Sequence, residues 1–111
     1  MIIIDKLLSE RQQAEKPIRV AMVGAGVVGK GLARQITKYV EGMDLVAISN
    51  RNLTSAEKAY QEADVNDISV VENADQLQEA IRQGRPAVTE NATALCQAEG
   101  IDVVVEVTGS F

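Results

Sequence analysis

The chain has 111 residues, 46% of them apolar and 24% charged, with 16 acidic side chains against 11 basic ones, a net charge of −5 and no histidine. One hydrophobic core forms at this length, but the two-domain body of most dehydrogenases does not fit. The acidic balance excludes a surface that works by neutralising nucleic-acid or membrane phosphates, so any phosphate this chain binds must be caught locally.

Ile3, Ile4, Leu7 and Leu8 fall at helical spacing ahead of a polar run, which predicts a short amphipathic helix over residues 1–15. Asp5 and Lys6 break the apolar start far short of a signal-peptide core, and no stretch reaches the ~18 uninterrupted apolar residues of a membrane helix. Pro17 ends the helix, because proline disfavours helical geometry at the residue before it. Residues 18–23, Ile-Arg-Val-Ala-Met-Val, then read as a buried strand, and Gly24-Ala25-Gly26-Val27-Val28-Gly29 follows at once.

Beyond the glycines, Val28, Leu32, Ile36 and Tyr39 share one helical face and Lys30, Arg34 and Lys38 another. That pattern predicts a helix lying on a sheet and stopping near Gly42, with the cationic stripe as its solvated face. Residues 45–48 form a second buried strand and residues 50–52 a polar loop. Thr54-Ser55-Ala56-Glu57 is a capping signal for a helix reaching to about residue 63. Residues 68–71 read as a short strand, and residues 74–83 as a helix with Leu77, Ala80 and Ile81 inward, ended by Gly84 and Pro86. A third main strand over 87–89, a helix over 92–98 and a last strand over 101–107 complete the chain; only Asp102 and Glu106 interrupt the apolar run of the last strand. Cys96 is the single cysteine and has no partner for a disulfide, so a reducing compartment, the cytoplasm, is expected. With no histidine to activate it, Cys96 reads as a buried structural thiol.

Strands alternating with helices predict an α/β fold: a parallel sheet with helices on both faces, joined by right-handed crossovers. The expected order is third, second, first, then last strand, the N-terminal half of a doubly wound, Rossmann-type sheet.

The glycine run follows a buried strand and opens a helix, and Ala33 extends it four residues after Gly29. In that setting Gly24 permits the tight turn, Gly26 lacks a Cβ that would strike a pyrophosphate, and Gly29 lets the helix approach the strand. The unpaired amides of the first helical turn, through Val27 and Val28, supply the anion site without a basic surface.

In the NAD form of this motif an acid about 20 residues past the loop accepts bonds from the adenosine ribose. Here that position holds Ser49-Asn50-Arg51, and Asp44 is too far down the strand to substitute. A guanidinium binds a 2′-phosphate through two parallel charge-assisted bonds, with Ser49 or Asn50 adding donors, so NADP is favoured over NAD. Glu106, one step before the ligand edge, reads as a support for a neighbouring loop or as a site residue. Thr108 and Gly109 fall where the last strand ends, within reach of the pyrophosphate or the nicotinamide ribose. No cluster has metal-ligand spacing.

With that fingerprint, the Ser49-Asn50-Arg51 turn and the run Val103-Val104-Val105-Glu106-Val107-Thr108-Gly109 in view, residues 17–111 resemble the N-terminal NAD(P)-binding domain of homoserine-dehydrogenase-like oxidoreductases. The resemblance is closer to the bacterial members that carry a C-terminal SAF domain. It implies Gly24 to Gly29 on the pyrophosphate, Arg51 on the 2′-phosphate and Thr108-Gly109 near the nicotinamide. It also implies that the catalytic groups and the small-molecule substrate site lie in sequence after Phe111, so no catalytic residue is carried over. A non-catalytic dinucleotide-sensing module and a Rossmann-like scaffold with an empty cleft are the alternatives. The exposed edge of the last strand is a template for association with a second copy.

Overall fold

The computed structural model describes residues 17–39 and 42–107, with the backbone alone at Val27, Val28 and Tyr39. The helix expected over residues 1–15, and Thr108 and Gly109, lie outside the described residues. Five strands, β1 (Ile18–Val23), β2 (Met43–Ser49), β3 (Ser69–Val70), β4 (Ala87–Thr89) and β5 (Val103–Glu106), form one parallel sheet in the order β3-β4-β2-β1-β5. Four helices connect them: α1 (Val27–Tyr39), α2 (Leu53–Glu62), α3 (Ala74–Arg82) and α4 (Ala92–Gln97). This is the expected α/β architecture of Rossmann type. The third main strand, β4, stands beside β2 as the sequence predicts, and the short β3 adds a two-residue edge beyond it.

The sheet separates two cores. Val20, Met22, Leu45 and Ile48 point to the side covered by α1 and α2, where they meet Ala33, Ile36, Ala56, Ala59 and Tyr60. Ala21, Val46, Ala47 and Ala87 point to the other side and meet Leu77 and Ala80 of α3 and Ala94 and Leu95 of α4. Strand alternation alone would put Val46 and Ala47 on opposite sides. They share a side because the β1–β2 register moves from Val20↔Leu45 to Ala21↔Ala47, leaving Val46 as an extra residue. This bulge reverses the alternation beyond it and so sets the phase in which β2 reaches its carboxyl end.

Three expectations are corrected. The cap of α2 is Asn52, whose side chain accepts from the Ser55 N–H at 3.3 Å; Thr54 already lies within the helix. An asparagine with extended backbone, at φ −103°, satisfies a first-turn amide two residues earlier than the Thr54 signal implies. Cys96 is exposed, because the short α4 turns Ala94 and Leu95 to the sheet and the next residue away from it. The last strand is shorter than predicted and exposes Val103 (44%) and Val104 (39%), since β1 is its only neighbour among the described strands. The exposure itself agrees with the edge position expected for the last strand.

Candidate functional site

The order of the sheet turns around β1, with β2 on one side and β5, the last strand of the chain order, on the other. Crevices at the carboxyl ends of strands flanking such a reversal are where open α/β sheets bind ligands. The loop leaving β1 at this point is the glycine run.

Gly24 adopts φ 106°, a conformation that L side chains rarely take, and its N–H donates to the Ser49 carbonyl at 2.7 Å, tying the ends of β1 and β2 together. The Gly26 carbonyl accepts from the Lys30 N–H at 2.9 Å, which starts α1 and leaves the amides of Val27, Val28 and Gly29 ahead of the first intrahelical bond. A Cβ built on Gly26 meets no atom within 4 Å, so this position opens on empty space. One built on Gly29 would stand 2.7 Å from the Gly24 carbonyl oxygen and 3.4 Å from Val107 Cγ2. The two glycines therefore do different things: Gly29 allows the helix to close on the turn, and Gly26 keeps the approach to the amides clear. Ala33, fully buried, carries the close packing one turn further.

At the end of β2, Ser49 is buried and Arg51 exposed. The turn between them is braced: the Asn50 N–H donates to the Thr89 carbonyl at 3.0 Å, and its side-chain amide donates to the Asn52 carbonyl at 2.9 Å. Asn52 in turn caps α2, so Arg51 projects from a fixed turn beside a helix N-terminus. Asp44 lies at the other end of the strand, opposite Arg19.

These parts line one cleft of about 670 Å³. Gly24, Gly26, Ser49, Asn50 and Arg51 all border it, so five of the predicted residues come together. Gly29 supports the turn from beneath, and Val27 and Val28 open α1. Glu106 also borders the cleft, at the β5 end in register with Val23. Sequence reasoning missed Ser55, Glu90 and Ala92, which border it from α2 and the β4–α4 turn. The signal for Glu90 was present: it follows the strand at 87–89, and residues just past a parallel strand stand at the ligand edge.

A second cavity, about 470 Å³, lies at the opposite edge among Arg19, Asp44, Tyr60, Arg82 and Arg85. Arg82 pairs with Glu79 and Arg85 with Asp67, so carboxylates of the fold already partner these two guanidinium groups. The Tyr60 hydroxyl is buried and donates to the Leu45 carbonyl at 3.0 Å; burial, with Asp44 adding to it, raises its pKa well above the ordinary tyrosine value. Asp64, beside Lys38, has its carboxyl lowered by that hydrogen bond and charge, which makes Lys38 a partner in an ion pair rather than part of a purely solvated stripe. Among the described residues no group of His, Cys, Asp or Glu is placed to hold a metal ion, and no helix is long and apolar enough to cross a membrane.

A glycine turn and helix N-terminus, placed where a parallel sheet reverses its order, define a dinucleotide-binding α/β domain. The family model of the homoserine dehydrogenase NAD-binding domain matches residues 24–111, starting at the first glycine, and the chain belongs to that family. It is thus a nicotinamide-dinucleotide-binding domain of oxidoreductase type. No curated protein matches the chain.

Proposed function

We propose that the chain holds NADP(H) for an oxidoreductase that moves hydride between the nicotinamide and a carbonyl or alcohol. The supporting observation is the braced Asn50–Asn52 turn, which presents Arg51 to the cleft where an NAD-binding domain would present an acid. In this reading the amides of Val27, Val28 and Gly29 bind the pyrophosphate, and the empty space above Gly26 admits it. Arg51 takes the 2′-phosphate, with Ser49 and Asn50 beside it. Thr108 and Gly109 are assigned to the nicotinamide side by the resemblance alone. The coenzyme supplies the hydride chemistry; the chain's own residues bind and orient it.

The dinucleotide domain spans residues 16–111 in this proposal, which also includes cytoplasmic location and self-association through the exposed β5 edge, where Val103 and Val104 stand.

Titration calorimetry on the full chain tests the coenzyme assignment. NADPH binds about tenfold or more tightly than NADH, and Arg51→Ala narrows the difference to about twofold. Equal affinities in the unsubstituted chain overturn the NADP preference.

A further inference from the structure

In the dinucleotide reading, the pyrophosphate lies at the end of β1 and the adenosine ribose at the end of β2. The next strand outward is β4, so the base falls over the β4–α4 turn. Glu90 and Ala92 border the cleft at that point.

The backbone on either side of Glu90 is fixed. Thr89 is fully buried, and its carbonyl accepts from the Asn50 N–H at 3.0 Å. The Thr89 hydroxyl accepts from the Asn91 N–H at 3.0 Å, and the Asn91 side chain accepts from the Thr93 N–H at 3.1 Å while donating to the Glu72 carbonyl at 3.3 Å. Glu90 sits at the centre of this bracing, exposed, and takes no part in a hydrogen bond or ion pair among the described residues. The fold makes no use of its carboxylate.

An ionised carboxylate only accepts hydrogen bonds. Adenine offers a 6-amino donor, whereas a 6-oxo purine offers an acceptor there and carries its ring donor at N1–H, so a carboxylate facing the 6-position itself tells the two apart. We infer that Glu90 determines base specificity, accepting the 6-amino group of adenine and repelling 6-oxo purines. This rests on the dinucleotide reading of the cleft and extends it to a residue outside the glycine fingerprint. Discrimination comes as much from the repulsion as from the bond.

Titration calorimetry with NADP and with its deaminated analogue, nicotinamide hypoxanthine dinucleotide phosphate, tests the inference on the full chain. The adenine form binds about tenfold more tightly, as expected for one partly solvated bond to a charged group. Glu90→Ala brings the two affinities within about twofold. Glu90→Gln, whose amide can donate to a 6-oxo group as readily as accept from an amine, levels them as well. Melting followed by circular dichroism shows that both variants fold. Equal binding of the two dinucleotides by the unsubstituted chain overturns the inference, and so does a ratio that survives Glu90→Ala. A uniform gain in affinity for both forms also overturns it, since that marks relief of repulsion toward the phosphates. If neither dinucleotide binds, the reading of the cleft fails, and the inference fails with it.

Discussion

The two ends of the cleft are built from different materials. At the β1 end the chemistry belongs to the backbone: a glycine turn, a helix N-terminus and three amides ahead of the first intrahelical bond. At the β2 and β4 ends it belongs to side chains: Arg51 and Glu90 on turns that asparagines brace, and Ser55 in the first turn of α2. A backbone site tolerates almost no change in the residues that shape it. A side-chain site loses one interaction at a time, so the first end sets whether a dinucleotide binds and the second sets which one.

Gly29→Val breaks this contrast hardest. Its Cβ would press on the Gly24 carbonyl at 2.7 Å, a backbone atom that cannot swing aside. Overpacking of this kind costs about 1–3 kcal/mol of stability, and the shifted turn loses most of the coenzyme affinity. Thermal melting and calorimetry together show both losses.

Gly26→Val separates binding from folding. The added side chain meets no protein atom, so the melting temperature stays within a few degrees, while NADPH affinity falls at least about a hundredfold because the valine occupies the phosphate's place. Unchanged affinity in a folded Gly26→Val variant contradicts the role given to the loop.

Tyr60→Phe leaves the cleft alone and loosens its support, since Tyr60 ties the C-terminal turn of α2 to the start of β2 at the opposite edge of the sheet. Losing the donor to a buried carbonyl costs about 1–3 kcal/mol at neutral pH. The folded chain keeps the Tyr60 proton where the unfolded chain, at the ordinary value of 10.0, releases it. The folded state then binds more protons at this site, so the Tyr60 contribution to stability is level below pH 10 and falls as pH rises above it. Urea unfolding at pH 8 and at more alkaline values shows a shallower fall in the variant. The smallest effect is Gly31→Ala, on the same helix as Gly29 but with open space around a Cβ, which stabilises by about 0.5–1 kcal/mol.

The same contrast explains what was legible in the sequence. The glycine run could be read because a positive φ and a close helix approach leave few residue choices, and β1 and β2 could be read because buried parallel strands are mostly apolar runs. The bulge at Val46 left no trace, since Leu45-Val46-Ala47-Ile48 is apolar on both faces whichever way it alternates. The cap of α2 was misplaced because Thr54 and Asn52 both carry capping chemistry, and only the path of the braced turn selects between them. Cys96 was misjudged because a six-residue helix gives too little periodicity to fix its inner face. Glu90 went unread although its strand was placed, because an exposed glutamate after a short strand looks like any solvated charge until the cleft it borders is built.

Amide NMR of the full chain during titration with NADPH tests the central claim most directly. The account predicts the largest shifts at the amides of Gly26, Val27, Val28 and Gly29, with smaller ones at Asn50, Arg51 and Glu90. Shifts confined to the opposite edge, around Arg19 and Arg85, with the loop amides unmoved, would contradict it.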